Sequence, residues 1–103
     1  MSHSLIYITA PNRDDALKLA HILVESRLLA CANILDGVTS VYRWEGKINQ
    51  DPETVLIGKT RSALVDAVIA KVRACHPYSC PCVVAMPIAA GNPAFLDWIS
   101  TET

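Results

Sequence analysis

No run in the 103-residue sequence approaches the roughly 18 apolar residues that a helix needs to cross a membrane, which excludes a helical span. The amino terminus, Met1-Ser2-His3-Ser4, lacks the basic region of a secretory signal, and the apolar stretch Leu5 to Ile8 is too brief to be its hydrophobic segment. These absences predict a cytoplasmic protein. Charge of one sign is lacking too. Nine Lys and Arg stand against ten Asp and Glu, scattered along the chain for a formal net charge of −1, so no electrostatic footprint for a phosphate backbone is present and nucleic acid is excluded as an expected partner. Glycine is scarce, with four residues in all. None of them falls in Thr9-Ala10-Pro11-Asn12 after the first apolar segment, which excludes a glycine-rich cradle for a nucleotide phosphate there.

What is present is apolar. Hydrophobic residues make up 51% of a chain with room for one domain and one core. Small domains bury a lower fraction of their surface than large ones, so part of this apolar content is expected to face another subunit. The four cysteines, Cys31, Cys75, Cys80 and Cys82, would be reduced in the cytoplasm and read as core thiols or soft metal ligands rather than a disulfide framework.

Ser4 to Thr9 reads as a buried strand ended by Ala10-Pro11-Asn12. Asn12 caps a helix that carries Asp14 and Asp15 in its first turn and runs to about Arg27. Leu17, Ala20, Val24 and Leu28 are the expected core stripe, with Lys18, Glu25 and Arg27 pointing elsewhere. Ala30 to Leu35 is a second strand, broken by Asp36-Gly37. Val38 to Ile48 continues extended, with Val41, Arg43 and Glu45 on one side and Tyr42 and Trp44 on the other. Asn49-Gln50-Asp51-Pro52 is a turn cluster, and Thr54 to Lys59 pairs back as an antiparallel hairpin. Thr60 or Ser62 caps a second helix whose stripe is Val65, Val68, Ile69 and Val72. Pro77 ends it before His76, since a residue preceding proline is pushed out of the helical region. Cys82 to Ile88 is the last strand. Gly91-Asn92-Pro93 leads into a short helix with Phe95, Trp98 and Ile99 on one face. The order predicts an α+β domain over residues 1–103, a ferredoxin-like βαββαβ sandwich with a long bent hairpin and a short C-terminal helix. That architecture hosts unrelated functions, so function must come from particular residues.

Three segments together resemble the CutA family of divalent-cation tolerance proteins. They are Ala30-Cys31-Ala32-Asn33-Ile34 leading into Gly37-Val38-Thr39-Ser40-Val41-Tyr42-Arg43-Trp44-Glu45-Gly46-Lys47-Ile48, then Glu53 with Lys59-Thr60, then His76-Pro77-Tyr78. Pro87-Ile88, Gly91-Asn92 and the tail Phe95-Leu96-Asp97-Trp98-Ile99 extend the resemblance over nearly the whole chain. It implies a tightly packed homotrimer whose long hairpin contributes to intersubunit sheets, and a role in tolerance of copper and other divalent metals. Copper ligands proposed in the family include a cysteine late in the first strand and a His-His pair ending the second helix. The corresponding positions here are Ile8 and Cys75-His76, so His76 carries over directly and Cys75 stands as a substitute. Acidic residues common in the family after His-Pro-Tyr are replaced here, around Ser79 and Cys82.

Cys75-His76-Pro77-Tyr78-Ser79-Cys80-Pro81-Cys82 is the densest local signal, with three thiols and an imidazole in one short segment. Thiolate and imidazole select Cu(I) or Zn(II) over hard cations, so copper, as Cu(I) or Cu(II), or another soft divalent cation is the expected ligand of His76, Cys75, Cys80 and Cys82, and none is expected to be required for folding. The spacing is not that of a zinc finger. The competing reading is that Cys75 ends an apolar helix and Cys82 begins a buried strand, both as small hydrophobes. A second constellation, Tyr42, Trp44, Glu45, Lys47, Lys59, His76, Tyr78 and Trp98, would line a cleft between subunits, with the lysines meeting a small anionic ligand or a partner protein against aromatic walls. Aromatics on a hairpin also suit plain interface packing. Cys31, His76 and Asn33 are the nominal members of a nucleophilic site, supported by composition alone. His21 reads as a packed or surface histidine. No triad or paired-carboxylate arrangement is visible, and no enzyme activity is expected.

Overall fold

The computed structural model describes residues 1–103. Its elements run β1 (His3–Ala10), α1 (Arg13–Glu25), β2 (Cys31–Trp44), β3 (Lys47–Arg61), a single 3-10 turn (Ser62–Leu64), α2 (Val65–Cys75), β4 (Val83–Pro87) and α3 (Pro93–Glu102). The four strands form one sheet in the order β2-β3-β1-β4, and every neighbouring pair is antiparallel. This is the expected α+β, ferredoxin-like arrangement.

One face of the sheet carries the core. Alternation along β1 turns Ile6 and Ile8 inward, where with Leu56 of β3 they meet Leu19, Ala20 and Leu23 of α1 and Val68 and Val72 of α2. The buried stripe of α1 is Ala16, Leu19, Ala20 and Leu23, rotated by about one residue from the expected Leu17, Ala20, Val24 and Leu28. Both sets have helical spacing. The small Ala16 and Ala20 allow close approach to the sheet, which pushes Leu17 and Val24 to the flank beside Ala32 and Ile34 of β2. Asn12 caps α1 as expected, its side chain accepting from the Asp15 N–H at 2.8 Å.

The hairpin differs from its expected form. The reversal is at Glu45-Gly46, with φ of 50° and 79°, and the Asn49–Pro52 cluster lies inside β3, opposite Thr39 to Tyr42. Two consecutive positive φ values make the tight two-residue connection whose twist suits paired strands, and Gly46 adopts it without a side-chain penalty. Pro52 is tolerated because β1 pairs with β3 only from Thr54 onward, leaving that edge of β3 open. Asp36-Gly37 is a bulge inside a continuous β2. Leu35 faces Val55 and Val38 faces Glu53, so two residues oppose Thr54 alone, and Gly37 takes a φ of 74°. Beyond the bulge the hairpin projects past the helices and stretches the molecule to 44 × 25 × 23 Å.

Neither Thr60 nor Ser62 caps α2. Thr60 is fully buried in β3 with an unpartnered Oγ1, and the Ser62 hydroxyl pairs with that of Ser4 at 2.7 Å. The 3-10 turn carries the chain into α2 instead. The last strand is Val83–Pro87 rather than Cys82 to Ile88, since pairing with β1 runs only from Ile8–Val83 to Ser4–Pro87. In α3, Ile99 is buried as its pattern requires, while Phe95 and Trp98 stack on each other at the surface. No helix is long and apolar enough to cross a membrane.

Candidate functional site

Where α2 ends, the chain is forced into a shape that builds the site. Pro77 holds His76 in an extended conformation, with φ −77° and ψ 141°, and the imidazole turns inward to 8% exposure. Its Nε2–H donates to the Thr9 carbonyl at 2.7 Å, and its Nδ1 accepts the Tyr78 N–H at 3.0 Å. A carbonyl can only accept and an amide N–H can only donate, so the two bonds define the neutral Nε2–H tautomer. The Tyr78 ring lies against the imidazole, with centroids 4.8 Å apart. One histidine thus docks the whole segment after α2 onto the end of β1.

Between that segment and the outer half of the hairpin, beyond the bulge, runs a groove of about 800 Å³. Thr9 of β1 borders it, Ser40, Val41, Tyr42 and Trp44 come from β2, Glu53 from β3, and Pro77, Tyr78, Ser79, Cys80 and Cys82 from the loop before β4. Two phenol–carboxylate bonds fix its walls. Tyr42 donates to Asp51 Oδ2 at 2.5 Å, and Tyr78 donates to Glu53 Oε2 at 2.9 Å. The bond to Asp51 is the main reason the Tyr42 phenol titrates above its ordinary range, with loss of solvent and the charges of Asp51 and Glu53 adding to it. Tyr78 is pushed up to about 12, first by burial and then by its bond to Glu53 and that carboxylate's charge. Both phenols therefore stay protonated donors at neutral pH, and Glu53 is the one charged side chain lining the groove.

The structure gathers only part of the residues singled out in the sequence. Tyr42, Trp44, Tyr78, Cys80 and Cys82 share the groove. Within one chain Glu45, Lys47, Lys59 and Trp98 lie elsewhere. Glu45 and Lys47 sit at the hairpin tip, Lys59 donates to the Asn33 side chain on the adjacent strand, and Trp98 stacks with Phe95 at 5.5 Å on α3. Cys75, Cys80 and Cys82 are all exposed, against the reading of Cys75 and Cys82 as packed thiols, because α2 ends and the loop opens before β4 begins. His76 has neither ring nitrogen free, and no three His, Cys, Asp or Glu side chains are grouped as a metal cage within the chain. Cys31, His76 and Asn33 are not assembled for nucleophilic chemistry, since Asn33 holds Lys59 and His76 holds Thr9. His21 is exposed near Glu25.

Glu53, named only within the family resemblance, Asp51 and Thr9 are groove-forming residues that the two sequence constellations omit. With the turn placed at Asn49–Pro52, Asp51 could not be seen as a strand residue two positions from Glu53, although period-two spacing puts both carboxylates on one face of β3. Thr9 acts through its backbone carbonyl, for which the sequence carries no signal.

The sequence model of the family described as CutA1 divalent ion tolerance protein matches residues 4–102. The chloroplastic protein CutA of Arabidopsis thaliana is 43% identical over 99 residues, covering 96% of this chain and 54% of that protein, so the chain spans about half the length of this relative. The crystal structure of CutA1 from Oryza sativa superimposes with a TM-score of 0.97 at 42% identity, covering all of this chain and 94% of that one. The structure of the periplasmic divalent cation tolerance protein CutA from Archaeoglobus fulgidus superimposes with a TM-score of 0.94 at 44% identity, covering 97% of each chain.

Proposed function

Since the chain belongs to the CutA1 family of divalent ion tolerance proteins, we propose that it serves cation tolerance as a cytoplasmic, non-enzymatic homotrimer that takes up a soft cation, copper foremost, as cargo on exposed thiols. The observation that carries this reading is the placement of Cys80 and Cys82, both exposed and both bordering one groove. Thiolates favour Cu(I) over the hard cations that a carboxylate site would take. Cys75, exposed at the end of α2, is the third candidate ligand. His76 would join only by giving up Thr9 or Tyr78, so its part is to hold the cysteine-bearing loop in place.

The apolar surface supports the trimer. Val41, Trp44, Ile48, Val84, Met86, Phe95 and Trp98 are each at least 40% exposed, which leaves a large apolar area for other subunits to cover. A second reading, a small anionic ligand or a partner protein held between subunits, draws on Lys47. That residue stands at the tip of a projecting hairpin, opposite Trp44, in position to meet a neighbouring copy. Native mass spectrometry of the reduced protein with and without Cu(I) tests both parts. A trimer that gains copper in steps supports the proposal, and a monomer or a copper-free trimer contradicts it.

A further inference from the structure

We propose that Cys80 and Cys82 form a reversible dithiol–disulfide pair, a redox modification site on the rim of the groove. Its consequence for cation binding rests on the function proposed above, but its chemistry does not. Both thiols are exposed, both border the same groove, and only Pro81 separates them. Residues 77–80 bend, residues 81 and 82 belong to no strand, and β4 starts at Val83, so the sheet ladder pins neither cysteine. Two Cα atoms two positions apart are held within roughly 7 Å by the two 3.8 Å virtual bonds of the chain, close to the span of about 4.4–6.8 Å that a disulfide bridges. Pro81 fixes its own φ and keeps Cys80 out of the helical region, which keeps the two thiols from scattering over many conformations.

The other thiols are poor partners. Cys75 is fixed at the end of α2 and, unlike Cys80 and Cys82, does not border the groove. Cys31 is half-buried in the sheet opposite Lys59, towards the far end of β1 from Thr9. With a low-molecular-weight disulfide such as oxidised glutathione as the oxidant, one cysteine thiolate attacks it, forms a mixed disulfide and expels one glutathione thiolate. The second cysteine thiolate then attacks the protein sulfur of that mixed disulfide, closes the Cys80–Cys82 bond and expels the second glutathione. Two electrons pass to the oxidant, and the two thiol protons end on the two glutathione molecules. A ring closed across one residue is strained, and strained exposed disulfides are the readily reduced ones, so the pair should reopen under reducing conditions. Closed, it offers no thiolate to a soft cation.

The test incubates the full-length protein in glutathione buffers of graded oxidised-to-reduced ratio, quenches in acid, alkylates and measures intact and peptide masses. The expected result is loss of two hydrogens per chain, with Cys80 and Cys82 protected from alkylation, Cys31 and Cys75 modified, and full reversal by excess thiol. Cys82→Ser should instead accumulate glutathione on Cys80. Persistent free thiols, pairing with Cys75, or cross-links between chains would overturn the proposal. A disulfide that forms in a protein whose Cu(I) affinity ignores both cysteines would uphold the redox site and defeat the cation reading. Cu(I) binding that needs both cysteines, with no disulfide formed, would do the opposite.

Discussion

The imidazole of His76 donates from Nε2 to the backbone carbonyl of Thr9 across 2.7 Å, joining the end of α2 to the end of β1. Because its other nitrogen accepts from Tyr78, this residue holds the loop that presents Cys80 and Cys82, and it does so as a buried, fully bonded neutral ring.

Replacing His76 by Ala should therefore lower stability by about 1–3 kcal/mol, the usual cost of leaving a buried hydrogen-bonding group unpaired. Urea denaturation measures it. Proteolysis after residue 76 should also speed up, since the loop loses its anchor. A variant as stable and as resistant as the parent would show that the docking bonds do not hold the loop.

The raised Tyr78 titration makes an alkaline prediction. In the unfolded chain its phenol deprotonates near the ordinary value of 10, and in the folded protein near 12. Between these pH values the folded form binds more protons than the unfolded form, so stability falls as pH rises through that window. Below pH 10 this contribution is fully present. Glu53→Gln should move the Tyr78 titration down towards 10 without reaching it, because burial is the larger cause and persists. Ultraviolet absorbance of the phenolate follows the shift, and an unchanged titration in Glu53→Gln would contradict the contact.

Gly58 has no room for a side chain. A Cβ there would lie 2.6 Å from Cδ1 and 2.8 Å from Cδ2 of the fully buried Leu29. Gly58→Ala should destabilise by about 1–3 kcal/mol through overpacking. Adding Leu29→Ala should cost less than the two single losses summed, since the truncated leucine makes space for the new methyl. Strict additivity in that double-mutant cycle would refute the contact.

The hairpin turn behaves differently. Gly46 has open space around it, yet its φ of 79° disfavours any other residue. Gly46→Ala should cost about 1–2 kcal/mol from backbone conformation alone. Glu45→Gly should cost little or stabilise, because Glu45 also has positive φ. Thermal denaturation distinguishes the two, and equal losses would argue against the assigned turn.

Much of this architecture was legible because periodicity and proline signals are local. The alternation in β1, the Asn12 cap and the stop before Pro77 all appear where the sequence places them. The α1 stripe is resolved only in part, because Ala16/Leu19/Ala20/Leu23 and Leu17/Ala20/Val24/Leu28 share Ala20 and fit the same helical period, and only close approach to the sheet chooses between them. The hairpin turn was misplaced because Asn49-Gln50-Asp51-Pro52 has stronger turn composition than Glu45-Gly46. Its position beyond the end of β1 lets those residues run extended instead. That error concealed Asp51 as the partner of Tyr42, and the role of Thr9 was hidden because it is carried by main chain. The aromatic and thiol members of the groove are visible as residue types, while Lys47 and Lys59, expected in a cleft between subunits, do not line the groove of the single chain.

The most direct measurement is a competition titration of the reduced protein with Cu(I) against a chelator of known affinity, comparing the parent with Cys75→Ser and with Cys80→Ser/Cys82→Ser. The expected result is stoichiometric binding by the parent, loss of at least about tenfold in affinity for the double variant, equivalent to about 1.4 kcal/mol, and a smaller loss for Cys75→Ser. Equal affinity in all three would contradict soft-cation uptake at the groove and leave its thiols without a part in metal tolerance.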